Sequence, residues 1–154
     1  MELKPGDKAP TIKLAMDGGE TISLSRLKGK PFVLYFYPKD DTSGCTKEAL
    51  DFTKNFRKFG TLGVVVIGVS KDSIASHEKF KAKHQLKLSL ASDPETKAAQ
   101  AYGVWVEKRM YGRKYMGMER STFLVDATGK IREIWRKVKV SGHAEAVLAA
   151  AKSL

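Results

Sequence analysis

The sequence has very little cysteine: Cys45 is the only one among 154 residues. A single thiol cannot close an internal disulfide, so a disulfide-stabilised secreted scaffold is excluded. An oxidoreductase of the Cys-x-x-Cys type is excluded too, because Glu48 stands where its second cysteine would be. We therefore expect a reducing, cytoplasmic location for this chain.

Long hydrophobic runs are also missing. The longest are residues 32–37 and 64–67, which are too short to cross a bilayer. The first seven residues lack the charged and apolar regions of a signal peptide. We therefore expect neither a membrane partner nor export.

Acidic residues are scarce, with 17 Asp and Glu against 28 Lys and Arg and a formal net charge of +11. Residues 108–115 interleave cations with aromatics, as single-strand nucleic-acid surfaces do, and residues 136–139 form a second basic cluster. A basic nucleic-acid-binding module with a structural cysteine is therefore the alternative function. Against it, the cations are spread over the whole chain, Glu107 and Glu119 dilute the first cluster, and no nucleic-acid motif is present. We expect no specific nucleic-acid partner.

What is present is enough apolar sequence, 42%, for one domain over residues 1–154. Residues 32–37 and 63–69 are β-forming with no polar alternation, which predicts two strands buried on both faces. Between them, Ala49, Phe52, Phe56 and Phe59 recur at helical spacing, which predicts one helix with these aromatics in the core. Strand, helix and strand make a βαβ unit with a parallel pair.

The flanking sequence completes an α/β domain. Alternating residues 9–16 and 21–24 around Asp17-Gly18-Gly19 predict an N-terminal β-hairpin. The remaining predicted elements are helices at 71–84, 94–102 and 143–151 and a second hairpin at 121–125 and 130–135. This order predicts a thioredoxin-like three-layer α/β sandwich with an N-terminal β-hairpin.

Cys45 falls where the helix after the first buried strand begins. Thr42 and Ser43 are candidate N-caps, and Gly44 allows close approach of the backbone. A lone cysteine is most often a buried structural residue, but the positive end of a helix favours a reactive thiolate. Ionisation alone could raise the thiolate fraction only about thirty-fold, which is far less than an enzyme's usual rate enhancement. A reactive Cys45 therefore also needs groups that bind its substrate. The Thr42 hydroxyl and the N–H groups of Gly44 and Cys45 are candidates, and a cation would complete the set.

The three histidines do not form a metal site. His77 and His84 lie seven residues apart on one predicted helix, and His143 is distant in sequence. This is not metal-ligand spacing, and we expect His77 and His84 on a solvated helix face.

Pro38-x-x-x-Thr42-x-x-Cys45 resembles the peroxidatic motif of peroxiredoxins, and residues 35–48 are similar to the bacterioferritin-comigratory protein (PrxQ) subfamily in particular. The resemblance extends over nearly the whole chain, through residues 6–10, 102–105 and 120–126. It implies a thiol-dependent peroxidase that reduces hydrogen peroxide and small organic hydroperoxides, with an antioxidant role. It implies no metal, haem, flavin or other cofactor, and it favours a monomer.

The resemblance also implies roles for matching residues. Cys45 would be the nucleophile that becomes a sulfenic acid, and Arg120 would stabilise the thiolate and the leaving oxygen. Thr42 would hydrogen-bond the peroxide, Pro38 would shield the sulfur, and Glu48 would orient the arginine.

Two departures from the subfamily pattern have consequences. Leu50 stands where many members carry a second, resolving cysteine, and residues 71–84, where others carry it, contain none. The sulfenic acid would therefore be reduced by an external thiol, either thioredoxin, glutaredoxin or a low-molecular-weight thiol. Ser43 replaces the usual proline; since serine can still cap a helix, we expect altered loop rigidity rather than lost activity.

Overall fold

The computed structural model describes residues 2–23, 27 and 29–154. It contains a seven-stranded mixed sheet in the order β2-β1-β5-β4-β3-β8-β9 and a separate two-stranded sheet, β6-β7. The strands are β1 (Lys13–Met16), β2 (Thr21–Ser23), β3 (Phe32–Phe36), β4 (Val65–Ser70), β5 (Ser89–Ser92), β6 (Trp105–Met110), β7 (Arg113–Met118), β8 (Ser121–Val125) and β9 (Ile131–Trp135).

The centre of the large sheet is parallel. β3 pairs in parallel with β4, and β4 with β5, while β8 runs antiparallel on the other side of β3. Every residue of β3 and β8 is buried. This confirms the predicted βαβ unit and the doubly buried strand, because a strand covered on both faces needs no polar alternation.

Helices cover both faces of this sheet. They are α1 (Ser43–Lys54), α2 (Phe56–Thr61), α3 (Ile74–His84), α4 (Lys97–Ala101) and α5 (His143–Ala151). Residues of α1, α2, α3 and α5 pack in one core with Val33 and Tyr35, and residues of α4 pack in the other with Leu34 and Phe36. The predicted thioredoxin-like α/β sandwich is confirmed.

The helix predicted between β3 and β4 is in fact two helices. Asn55 breaks it, with φ −98° and ψ 5° and a side-chain amide that donates to the Asp51 carbonyl at 2.8 Å. The break rotates the following turn, so Phe56 is 42% exposed while Phe52 and Phe59 are fully buried. The prediction that Phe56 lies in the core is wrong.

The N-terminal hairpin is confirmed as β1 and β2 joined by a 3₁₀ turn at Asp17–Gly19. β1 starts only at Lys13, because the chain before it bonds elsewhere: the Ala9 N–H donates to the Gly129 carbonyl at 2.9 Å. Leu24, the end of the predicted second strand, lies outside the described residues.

Two features were not predicted. β5 is short and begins and ends in serine. The β6–β7 hairpin turns at Tyr111 and Gly112, both with positive φ, and is mostly exposed on its outer half.

The predicted short helix at 94–102 shrinks to α4, because Thr96 has a φ of 58°, which no α-helix admits.

Candidate active site

The site lies at the carboxyl end of β3, where the chain passes through residues 37–42 into α1. Cys45 is in the first turn of α1, after Thr42 at the N-cap. Phe36, the last residue of β3, is in register with Ser121, the first of β8. Arg120 directly precedes Ser121, so strand pairing brings it to Cys45 across 75 residues of sequence.

Arg120 bridges two side chains of α1. Its Nη2 donates to Cys45 Sγ at 3.3 Å, and its Nη1 donates to Glu48 Oε1 at 2.7 Å. Cys45 and Glu48 are three residues apart on one helix and so project from the same face. Both are 1% exposed, and the Arg120 side chain is 17% exposed. The guanidinium therefore holds thiol and carboxylate together in a site largely closed to water.

Burial controls the electrostatics of Glu48. Loss of hydration raises its pKa from 4.5 to about 7, against the opposing attraction of Arg120. Its Oε2 has no hydrogen-bond partner among the described residues. Near neutral pH this carboxyl is therefore divided between its two protonation states.

Arg120 remains a cation throughout. Burial lowers its pKa, but the charges of Glu48 and Cys45 outweigh that effect, and the pKa is raised overall. A permanent cation therefore lies in contact with the sulfur of Cys45.

Gly44 gives the guanidinium room. A Cβ at this position would stand 3.2 Å from Arg120 Nη2, a tight contact that would displace one of the two groups. Of the predicted site residues, Cys45, Arg120, Glu48 and Gly44 are thus in direct contact or immediate proximity.

Thr42 and Pro38 are placed less directly. Thr42 is the N-cap, but its side chain makes no cap bond; its Oγ1 donates to the Lys39 carbonyl at 2.9 Å. Pro38 is exposed at the start of the same loop. The predicted contacts of Thr42 with peroxide and of Pro38 with the sulfur are supported only by the place of both residues in the loop before α1.

The structure adds groups to the site that the sequence did not indicate. His143 Nε2 lies 2.7 Å from Thr122 Oγ1, and burial and the nearby Arg120 lower the pKa of His143 to about 4. Lys108 has its pKa lowered by burial and by Arg120, with Glu119 and Cys45 acting in the opposite direction. No local pattern pointed to either residue, because strand pairing and helix packing bring them here.

The histidine prediction needs one correction. His77 is fully buried rather than on a solvated face. Its ring has polar partners on both sides, Asp40 and the Ala91 carbonyl, which offsets the cost of burial. His84 is partly exposed and contacts Asp41 Oδ1 at 2.8 Å.

Within residues 2–23, 27 and 29–154, no three His, Cys, Asp or Glu side chains gather in a way that could hold a metal ion. Over the same residues, every helix is too short or too polar to cross a bilayer.

A thioredoxin-like sheet carrying a buried cysteine in the first turn of the helix after β3, in contact with an arginine, defines a thiol-dependent peroxidase. The chain matches the AhpC/TSA family over residues 5–134 and belongs to that family. It is a peroxiredoxin of the Bcp, or PrxQ, subfamily and has a single cysteine.

Individual relatives agree with this assignment. The chain is 50% identical to peroxiredoxin Bcp of Bacillus subtilis over 154 residues, covering 100% of this chain and 98% of the relative. It superposes on a cysteine-to-serine mutant of Xylella fastidiosa PrxQ with a TM-score of 0.94 and 39% identity, covering 99% and 98% of the two chains. It superposes on a Xanthomonas campestris bacterioferritin comigratory protein, studied for alkyl peroxide reduction, with a TM-score of 0.89 and 45% identity over 92% and 90%.

Proposed function

We propose that Cys45 is the peroxidatic nucleophile of this enzyme. Its thiolate attacks the nearer oxygen of a hydroperoxide, an S–O bond forms as the O–O bond breaks, and the leaving oxygen takes a proton to become water or an alcohol. Sulfur is oxidised to a sulfenic acid and the peroxide is reduced. The observation that carries this role is the 3.3 Å contact between Cys45 Sγ and Arg120 Nη2.

Arg120 stabilises the charge that moves during this step. Its guanidinium lies beside the thiolate and can follow the negative charge from sulfur to the leaving oxygen, without moving away from Glu48. Glu48 orients the guanidinium through the 2.7 Å contact, and Gly44 leaves space for it.

The loop before α1 binds the peroxide. The N–H groups of Gly44 and Cys45 lie in the first turn of the helix, where no intrahelical acceptor is available to them. The Thr42 hydroxyl is two residues from Gly44 and can turn from Lys39 to a bound peroxide oxygen. Pro38 and the closed packing limit access of water to Cys45, which is 1% exposed.

We propose hydrogen peroxide and small alkyl hydroperoxides as substrates. A sulfur that is only 1% exposed suits short molecules, and the Xanthomonas relative's alkyl peroxide reduction supports the second group. A surface cavity of about 520 Å³ reaches Arg120, and Lys108 and Lys137 also line it.

The sulfenic acid is reduced by thiols from outside the chain, because no second cysteine exists. One thiol displaces water and forms a mixed disulfide with Cys45, and a second thiol releases Cys45 as a thiolate. Thioredoxin, glutaredoxin or a low-molecular-weight thiol could supply both. Because the cycle consumes thiols, we place the enzyme in the cytoplasm, as a single-domain monomer over residues 1–154 with an antioxidant role.

The basic surface does not require a nucleic-acid partner. Arg136, in the second basic cluster, contacts Glu2 and Glu119, and Lys108 donates to the Met118 carbonyl. These two cations, one from each cluster, have partners within the protein, which favours the enzyme over the nucleic-acid alternative.

Peroxide consumption with dithiothreitol as reductant tests the proposal, comparing wild type with Cys45→Ser. The wild type should consume peroxide catalytically and Cys45→Ser should match the rate without protein. Equal rates for the two proteins would overturn the role of Cys45.

A further inference from the structure

The loop that carries the peroxide-binding groups is fixed by a buried side chain, Asp40. Its Oδ1 accepts from the Tyr37 hydroxyl at 2.6 Å, and its Oδ2 lies 2.8 Å from Ser76 Oγ and 2.7 Å from His77 Nδ1. The Asp40 N–H donates to Asp72 Oδ2 at 2.8 Å. The loop is thus attached to α3 and to the turn before it through both the backbone and the side chain of one residue.

His77 sits between two acceptors. Its Nε2 is 2.9 Å from the Ala91 carbonyl, which can only accept, and its Nδ1 faces the Asp40 carboxyl. Asp40 Oδ2 already accepts from Ser76, so it too is satisfied best by a donor on the ring. Both ring nitrogens thus face acceptors, and Nδ1 is placed to donate to Asp40 Oδ2. The two side chains are 0% and 4% exposed, so the hydrogen bond between them is shielded from water.

This pair lies close to the site along the chain. Asp40 is two residues before the N-cap Thr42 and five before Cys45. Arg120 holds the first turn of α1 from the β8 side, and the Asp40–His77 contact holds the preceding loop from the α3 side. In the described part of the chain, no hydrogen bond joins His77 or Asp40 to Cys45 Sγ, so neither touches the reacting atom.

We propose that Asp40 and His77 are positioning residues for peroxide attack: their buried hydrogen-bonded contact fixes the loop that presents Thr42 and the first-turn N–H groups of α1 to the peroxide. The inference rests on the proposed role of Cys45. It predicts that losing the contact lowers the rate at which peroxide oxidises Cys45 while Cys45 and Arg120 remain intact.

Two variants of His77 separate its two contacts. The amide nitrogen of asparagine can take the place of Nδ1, and that of glutamine the place of Nε2. His77→Asn therefore keeps the donor to Asp40 and loses the one to Ala91, whereas His77→Gln does the reverse. Each loses one buried hydrogen bond, so each serves as the other's control for a general loss of packing.

The measurement is the second-order rate of sulfenic acid formation with hydrogen peroxide, in a single turnover without reductant. We expect His77→Asn to stay within about threefold of wild type and His77→Gln to be slower by about tenfold or more. Equal slowing of both variants, no slowing of either, or slowing of His77→Asn alone would overturn the proposal. A wild type that fails to form the sulfenic acid would instead overturn the role of Cys45.

A measurement on the wild type keeps the proposal testable if a variant does not fold. In ¹⁵N NMR spectra of the wild type, His77 Nδ1 should carry a proton that exchanges slowly with water. An Nδ1 without a proton would overturn the donor contact to Asp40.

Discussion

Replacing Glu48 with glutamine should make the stability of the protein less dependent on pH. Glu48 is buried, and only one of its oxygens has a hydrogen-bond partner among the described residues, Arg120 at 2.7 Å. Glutamine has the same shape and can still accept from the guanidinium, but it does not ionise. Comparing the two proteins therefore isolates the proton on this carboxyl.

The magnitude follows from the pKa of Glu48, which burial raises from 4.5 to about 7. The native state thus binds the proton more tightly than the unfolded chain does. Its contribution to stability is complete below the unfolded pKa and is lost as the pH rises through about 7. Between pH ~5 and pH ~8 the loss due to this one group is about 2.5 kcal/mol.

Urea unfolding of wild type and Glu48→Gln at those two pH values measures this loss. The other titrating groups are common to both proteins and cancel in the difference. The wild type should lose about 2.5 kcal/mol more than the variant on going from the lower to the higher pH. If the unfolding free energy of the wild type falls no more than that of the variant, or rises relative to it, then burial does not outweigh the Arg120 contact in setting the pKa of Glu48.

Three further substitutions test the geometry around the sulfur. Arg120→Ala should lower the second-order rate constant with peroxide, measured by stopped flow, by about 10²–10³. The rate constant of Arg120→Lys should lie between those of wild type and Arg120→Ala, because an ammonium cannot contact both Cys45 and Glu48. An unchanged rate in Arg120→Ala would remove Arg120 from the site. Gly44→Ala should slow peroxide attack up to about tenfold, because its Cβ meets the guanidinium of Arg120 at 3.2 Å. A variant as fast as wild type in the same stopped-flow measurement would contradict the contact. Leu50→Cys should form an intramolecular disulfide with Cys45 after oxidation, which mass spectrometry would detect. The disulfide should form slowly, because residues five apart on an intact helix are about 8.5 Å apart at Cα and the first turn of α1 must unwind. Over-oxidation of Cys45 as fast as in wild type would count against this.

Much of the site could be predicted from sequence because several of its residues are close neighbours in the chain. The turn from a buried strand into an amphipathic helix placed Cys45 at a helix start, with Thr42 and Gly44 beside it. Arg120 came from the family resemblance, and the structure supplies the reason: strand pairing of β3 with β8 brings residue 120 to the end of β3.

The errors arise where long-range packing overrides local pattern. Helical spacing placed Phe56 in the core, but it could not show that Asn55 would end the helix. His77 resembled a surface residue because its partners, Asp40 and the Ala91 carbonyl, are 37 and 14 residues away. The β6–β7 hairpin was missed because its outer half is exposed on both faces, which removes the apolar alternation that marks a strand.

The most direct test of the account is a single turnover followed by mass spectrometry of the intact protein. With one equivalent of hydrogen peroxide and no thiol, the wild type should gain one oxygen atom on Cys45 and form no disulfide within the chain. Adding a thiol should then remove that oxygen. A protein that keeps its original mass, or that is oxidised to the same extent as Cys45→Ser, would contradict the claim that this one buried cysteine performs the reaction.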